Sequence, residues 1–285
     1  MTILEAWECY KKDKEMINYS KHTLRGYAIQ ARLLSEGFDD CDITTISREQ
    51  LKEYIYGQRE HLKPSSIGYR VRFIHSFFRW AVDEGYININ PSAKIREPKL
   101  GKVIPKFLSE EDIETLRAYC STPREHAIIE FMYTTGCRIG EIAKVDINDI
   151  DWVNNSLVVN GKGNVEREVY FNTKCRIWLK KYIELRTDDN PALFVTERSF
   201  EGKPRRISVS QMRVVVKGIA KRAGIEANVY PHRLRHSYAT HLLNNGAPME
   251  AIQRLLGHEK HSSTEIYAHS TGELRRQIYK RYFNT

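Results

Sequence analysis

The chain has 285 residues, which is long enough for two domains that each bury a core. Its 45 Lys and Arg against 36 Asp and Glu give a net charge of +9, and residues 99–285 hold 30 of these basic and 22 of these acidic residues, which indicates a polyanionic partner or, as the alternative, a solubilising surface. Five widely spaced cysteines without a CxxC pair, no run of about 18 apolar residues and no export signal exclude a disulfide scaffold, a zinc site and a membrane span, and favour the cytoplasm.

Apolar residues recur at helical spacing through the first 95 residues and predict four or five short helices. Helix starts are predicted at Ser20 with Thr23, at Ser47 with Gln50 three positions later, and at Pro64. A polar stretch with two prolines follows from about residue 91. The sequence therefore predicts an N-terminal domain over 1–95, a linker over 96–106 and a C-terminal domain over 107–285.

The second domain is predicted to be mostly helical with one small sheet. A helix opens at 107–112, and another, rich in apolar residues, stops at Thr135-Gly136. Residues 156–159 and 168–171 predict two strands of a β-hairpin, since they are rich in β-branched and aromatic side chains. Further helices are predicted in this order: 174–186, 209–223, 234–244, 249–256 and 274–282.

Two arginines of this domain have the chemistry of a phosphate clamp. Arg138 follows the Thr135-Gly136 helix stop, where its guanidinium can bind phosphate oxygens with two parallel hydrogen bonds. Glu141 is placed to orient Arg138, although an isolated Arg-x-x-Glu pair is commonly a solvated salt bridge. His232 and Arg235, three apart after Pro231, share one helix face. Arg235 would complete the clamp.

The remaining roles in cleaving a phosphodiester also have candidates. His232 can accept a proton near neutral pH, and Lys162, between two glycines of the hairpin, can donate one to a departing 5′ oxygen, although a plain turn lysine is the alternative. Tyr267, nine residues after His258, is the candidate nucleophile. Its choice among 16 tyrosines depends on its place after the Leu-Leu-Gly-His motif.

In this order, these residues resemble the tyrosine recombinases of the phage integrase family, and most of all the compact Xer-like or transposon-resolvase-like members. Three motifs carry the resemblance, which covers essentially the full length: Thr-Gly-Cys-Arg-Ile-Gly-Glu at 135–141, His-Arg-Leu-Arg-His-Ser-Tyr-Ala-Thr-His-Leu at 232–242, and Leu-Leu-Gly-His at 255–258 followed by Tyr267. The resemblance implies a mainly α fold: a helical, SAM-like N-terminal DNA-binding domain and an α+β catalytic domain with a small antiparallel sheet.

The resemblance also implies an activity. Tyr267 would attack one DNA strand and form a 3′-phosphotyrosine link, and the released 5′ hydroxyl would attack a partner duplex. No cofactor or metal is needed, because the ester retains the bond energy. The catalytic set would be Arg138, Lys162, His232, Arg235, His258 and Tyr267. His258 would bind the phosphate alongside the two arginines, and Glu141 would orient Arg138 without contacting the phosphate.

The implied partners are double-stranded DNA at a core recombination site and three further copies of the chain, as a homotetramer on two DNA sites. The amphipathic segment 271–285 is expected to dock onto a neighbouring protomer or onto its own domain. Two other functions stay open: a type IB topoisomerase, which nicks and reseals one strand, and a DNA-binding accessory protein without catalysis. The sequence leaves open the DNA target and whether the reaction serves integration or excision of an element, resolution of transposition cointegrates, or separation of chromosome dimers.

Overall fold

The fold was obtained as a computed structural model that describes residues 1–101, 107–161, 166–197, 203–225 and 228–257. The chain divides into two compact units, residues 1–102 and 103–285. Within the described ranges, no helix is long and apolar enough to cross a bilayer.

The first unit is built of helices, with one isolated β-bridge between Thr2 and Asp42. Its four α-helices are α1 Ile3–Met16, α2 Lys21–Gly37, α3 Arg48–Tyr56 and α4 Pro64–Asp83. A short 3₁₀ turn, Ile43–Thr45, lies between α2 and α3. The number of helices agrees with the four or five that the sequence predicts.

Local capping chemistry starts these helices where the sequence predicts. The Ser20 side chain accepts from the Thr23 amide at the start of α2. At α3, Ser47 and Gln50 form a reciprocal capping box, in which each side chain accepts from the other residue's amide. Helix α4 has Pro64 in its first position, where a missing amide proton costs no hydrogen bond.

The core of the first unit forms along α4, which packs against α1 and α2. Phe73, Ile74, Phe77 and Phe78 are fully buried on it. Their spacing of three and four residues produces one apolar face. Tyr10 of α1 is also fully buried, and its hydroxyl meets Ser76 Oγ at 2.7 Å, so its polar end is satisfied inside the core.

The second unit has seven α-helices within the described ranges: α5 Glu110–Ala118, α6 Pro123–Thr135, α7 Ile139–Ile142, α8 Thr173–Glu184, α9 Val209–Arg222, α10 Pro231–Asn244 and α11 Met249–Leu256. Helix α6 is central and packs against α5, α8, α9 and α10. Most of its residues are buried: Ile128, Ile129 and Phe131 are fully buried, and Glu130 is also buried, where it pairs with Arg117 of α5.

A small antiparallel sheet completes the second unit. Its strands lie in the order β1 Ile150–Asp151, β2 Ser156–Asn160 and β3 Glu166–Tyr170. Leu157 pairs with Val169, and both are buried. The hairpin prediction is confirmed for its two strands, whereas the short β1 is not among the sequence predictions.

The predicted fold class is confirmed, since the described chain is mostly helical with one small antiparallel sheet. Helix α10 begins at Pro231, three residues before the predicted start, so that His232 lies in its first turn. Several predictions lie outside the described residues: most of the hairpin turn, most of the second half of the linker, and the helix predicted over 274–282.

Candidate active site

Four of the predicted site residues lie in the described part of the second unit: Arg138, Glu141, His232 and Arg235. Three others, Lys162, His258 and Tyr267, lie outside the described residues.

Arg138 lies at the junction of α6 and α7. Helix α6 ends at Gly136, whose positive φ of 59° reverses the chain and brings Arg138 to the first position before α7. The Arg138 side chain is 31% exposed. Its Nη1 donates to Glu141 Oε1 at 2.9 Å, and its backbone amide donates to Glu141 Oε2 at 2.8 Å. The carboxylate thus holds both ends of Arg138 and leaves its guanidinium partly open to solvent.

Glu141 is shared between two arginines. Arg167 of β3 donates from Nη1 to Oε1 at 3.0 Å and from Nη2 to Oε2 at 2.7 Å. Burial alone would raise the pKa of Glu141, but the hydrogen bonds and charges of Arg167 and Arg138 outweigh it and lower that pKa below its ordinary value. The carboxylate is therefore ionised near neutral pH, and the three groups carry a net charge of +1.

Arg235 is buried on α10 and is only 5% exposed. Its Nη1 donates to the Gly136 carbonyl and its Nη2 to the Leu256 carbonyl, both at 2.6 Å. One guanidinium thereby joins the end of α6 to the end of α11. Because it is planar and holds two oxygens at once, its orientation is fixed by the fold.

His232 lies near this cluster of positive charge. Partial loss of water around the ring lowers its pKa, and the charges of Arg235, Arg213 and Arg138 lower it further. The imidazole is therefore neutral near pH 7, although the residue as a whole is exposed at the start of α10. A neutral imidazole can accept a proton.

The C-terminal end of α11 is surrounded by arginines. Three successive carbonyls each accept from a different one: Leu255 from Arg167 Nε at 3.1 Å, Leu256 from Arg235 Nη2 at 2.6 Å, and Gly257 from Arg138 Nη2 at 3.2 Å. The last carbonyls of a helix have no partner within it and carry a partial negative charge. The three arginines supply the missing hydrogen-bond donors and a compensating positive charge. The carbonyls that they bind belong to the residues directly before His258 in the chain.

Residues 106–273 match the model of the phage integrase family. The chain belongs to this family. It is similar to the tyrosine recombinase XerC of Oceanobacillus iheyensis, with 32% identity over 92% of this chain and 90% of the relative. Membership of the family and this similarity identify a tyrosine recombinase of the Xer kind, an enzyme of site-specific DNA recombination.

Solved structures agree in fold. The lambda integrase tetramer bound to a Holliday junction matches with a TM-score of 0.78 and 19% identity, over 94% of this chain and 77% of that chain. The Tn1549 transposon integrase in complex with a circular intermediate DNA matches with a TM-score of 0.76 and 20% identity, over 99% of both chains. These likenesses concern the fold of the recombinase.

Arg167 is a member of the cluster that the sequence predictions do not include. One signal could have found it: on β3, residues 167 and 169 share a face, and Val169 is buried. An arginine on the inward face of a strand requires a buried partner. Elsewhere in the described residues of the recombinase, no group of three His, Cys, Asp or Glu side chains could hold a metal ion.

Proposed function

We propose that the recombinase cleaves one DNA strand by attack of the Tyr267 phenol on a phosphodiester. The phosphorus–oxygen bond to Tyr267 forms as the bond to the 5′ oxygen breaks, which leaves a 3′-phosphotyrosine and a 5′ hydroxyl. The reverse reaction, with a 5′ hydroxyl from another duplex, completes the transfer. Each step exchanges one phosphate ester for another, so the reaction is balanced without an external energy source.

The observation that carries this proposal is the convergence of Arg138 and Arg235 on the end of α11. Gly257 is followed directly by His258 and, ten residues later, by Tyr267. A phosphate bound by Arg138 and Arg235 would therefore lie near the beginning of the segment that carries the nucleophile. Two guanidinium groups would offset the charge that develops on the non-bridging oxygens.

The protons have defined donors and acceptors in this proposal. Because its pKa is lowered, His232 is neutral and would accept the phenol proton as the bond to phosphorus forms. Lys162 would donate a proton to the departing 5′ oxygen, and His258 would hydrogen-bond a non-bridging oxygen. The assignments of Lys162, His258 and Tyr267 are supported by their sequence motifs.

We propose a DNA duplex as the substrate and a homotetramer as the active assembly. The net charge of +8 over residues 99–285 supports a polyanion, and the similar lambda integrase is a tetramer on a Holliday junction. The helical domain, residues 1–95, would bind the core site together with the catalytic domain over 107–285. Segment 271–285 would be exchanged between protomers. We also propose a cytoplasmic location, where the cysteines would stay reduced.

We propose movement of a mobile element as one setting for the reaction, since a transposon integrase has a similar fold. Separation of chromosome dimers is an alternative setting for the same reaction. Neither the topoisomerase nor the inactive accessory protein is favoured by the family match and the recombinase relatives.

The test begins with a library of nicked duplexes in which the central segment is randomised. Covalent protein–DNA adducts are isolated under denaturing conditions and sequenced to define a selected duplex. Two copies of that duplex are then placed in one plasmid. We expect recombinant products, whereas relaxation without recombinants would indicate a topoisomerase and the absence of any adduct would indicate a binding protein. Tyr267→Phe is the control and is expected to form no adduct.

A further inference from the structure

Arg167 is a buried arginine whose side chain donates three hydrogen bonds. Its side chain is 9% exposed. Two of its nitrogens hold both oxygens of Glu141, and the third donates to the Leu255 carbonyl at 3.1 Å. It therefore links strand β3 to α7 and to the end of α11, and none of its three nitrogens is left without an acceptor.

Gly257 adds a fourth restraint on this arginine. Its φ is +62°, and a Cβ added there would lie 2.9 Å from Arg167 Cδ and 3.2 Å from Arg167 Nε. The backbone of α11 at its last turn thus passes directly over the arginine stem. A close approach and a positive φ at the same position both favour glycine.

The net charge of Glu141, Arg138 and Arg167 indicates how the ion pair between Arg167 and Glu141 affects Arg138. Glu141 carries one negative charge, and Arg138 and Arg167 carry one positive charge each. With both arginines present, a net +1 remains beside the partly exposed Arg138. Without Arg167, the carboxylate would be neutralised by Arg138 alone, and the net charge would be zero. A phosphate would then compete with Glu141 for the same guanidinium.

We propose that Arg167 is a positioning residue. Its ion pair with Glu141 neutralises that carboxylate, so that the positive charge of Arg138 remains available to the phosphate. Through the Leu255 carbonyl it also holds the end of α11 in register with the clamp. Arg167 acts through Arg138 and does not touch the phosphate. The inference rests on the proposed phosphate-binding role of Arg138.

The test compares Arg167→Met with the double variant Arg167→Met/Glu141→Gln. In the single variant the cluster loses its net positive charge, and in the double variant Arg138 again supplies +1. On the selected duplex we expect single-turnover cleavage to fall by about tenfold to a hundredfold in Arg167→Met. The double variant is expected to recover a large part of that loss. Arg167→Lys, which keeps the charge, should be less impaired than Arg167→Met.

Arg186 provides a matched control for the loss of a buried arginine. It also pairs with a carboxylate, Asp188, and donates to backbone carbonyls, including Ala192 at 2.6 Å, and its side chain is 6% exposed. Arg186→Met should lower thermal stability without changing the ratio of cleavage rates between a normal scissile phosphate and a neutral methylphosphonate. Arg167→Met should be markedly less impaired on the methylphosphonate, because the transition state on that group carries one negative charge less than on the phosphate and needs less compensation.

Binding of inorganic sulfate gives a readout that is independent of cleavage. It is followed through the side-chain spectrum of ¹⁵N-arginine-labelled protein. We expect weaker sulfate binding in Arg167→Met and recovery in the double variant. The inference is overturned if the double variant binds sulfate and cleaves no better than Arg167→Met, or if Arg167→Met equals the unaltered protein. Absence of adducts in the unaltered protein alone would instead refute the proposed function, and sulfate binding would still decide the role of Arg167.

Discussion

Arg167 and Glu141, which lie 26 residues apart in the chain, join through two parallel hydrogen bonds of 3.0 and 2.7 Å. Both side chains are more than nine-tenths buried. A buried carboxylate between two arginines is held in its charged form, and either arginine loses a compensating charge when the carboxylate is removed.

We therefore expect Glu141→Gln to lower the free energy of unfolding by about 3 kcal/mol, because Arg167 would be left buried without an opposite charge. Urea unfolding at neutral pH measures this change. Glu114→Gln is the control: Glu114 pairs with Arg117 and Lys174, but its side chain is 62% exposed, so a loss below about 1 kcal/mol is expected. Equal losses in the two variants would contradict the account.

The stability that Glu141 contributes is expected to depend on pH with a definite sign. Its pKa in the folded protein is below the ordinary value of 4.5, so the unfolded chain takes up the proton first. The stability difference between the unaltered protein and Glu141→Gln should be constant above about pH 5.5 and should shrink as the pH falls through 4.5 towards the folded pKa. Urea unfolding of both proteins over this range measures it. A stability difference that grows on acidification would have the opposite sign and would contradict this prediction.

Cleavage is expected to be insensitive to pH down to the ordinary imidazole value of 6.5 and to fall only below it, since His232 has a lowered pKa and acts as a neutral acceptor. Single-turnover cleavage of the selected duplex measures the profile. His232→Gln should reduce the rate by about 10²-fold to 10⁴-fold and remove this acid limb.

His126 provides the comparison for that profile. Burial also lowers its pKa, but it stacks on Trp178 at 3.7 Å between ring centroids and makes none of the contacts of the arginine cluster described above. His126→Gln should leave the acid limb in place. If the limb disappears in His126→Gln and persists in His232→Gln, the proton acceptor has been assigned to the wrong residue.

Gly136→Ala is expected to disturb the clamp as well as the fold. A Cβ at this position would lie 2.5 Å from the Tyr238 ring, and the φ of +59° is itself unfavourable for alanine. Because the Gly136 carbonyl accepts from Arg235, cleavage should fall together with stability. Gly246→Ala has a φ of +85° with nothing within 4 Å, so it should cost only about 1 kcal/mol and leave cleavage unchanged. Thermal unfolding and cleavage assays on both variants test this.

The helix starts could be predicted from the sequence because capping is local. Ser47 and Gln50 lie three residues apart, and their side chains reach each other's amides whatever the rest of the chain does. The stop at Gly136 is equally local, since glycine readily adopts the left-handed conformation that ends α6. Strand β1 has two residues, which is too short for any alternation to be recognised.

The contacts of the clamp could not be predicted in the same way. The motifs around Arg138 and Arg235 indicate both residues, but their partners at the end of α11 are backbone carbonyls, which every residue has. Their distance from the arginines is set by tertiary packing. Arg167 could not be predicted for a related reason: its partner Glu141 is close in space but 26 residues away in the chain, and the strand pattern alone does not indicate that partner.

Tyr267 is the residue that we propose to form the covalent link to DNA. The most direct test is to trap the adduct on the nicked selected duplex, digest the protein and the DNA, and identify the phosphotyrosyl peptide by mass spectrometry. We expect a nucleotide attached through its 3′ phosphate to Tyr267, and no adduct in Tyr267→Phe. A nucleotide attached to any other tyrosine, or an adduct that persists in Tyr267→Phe, would contradict it.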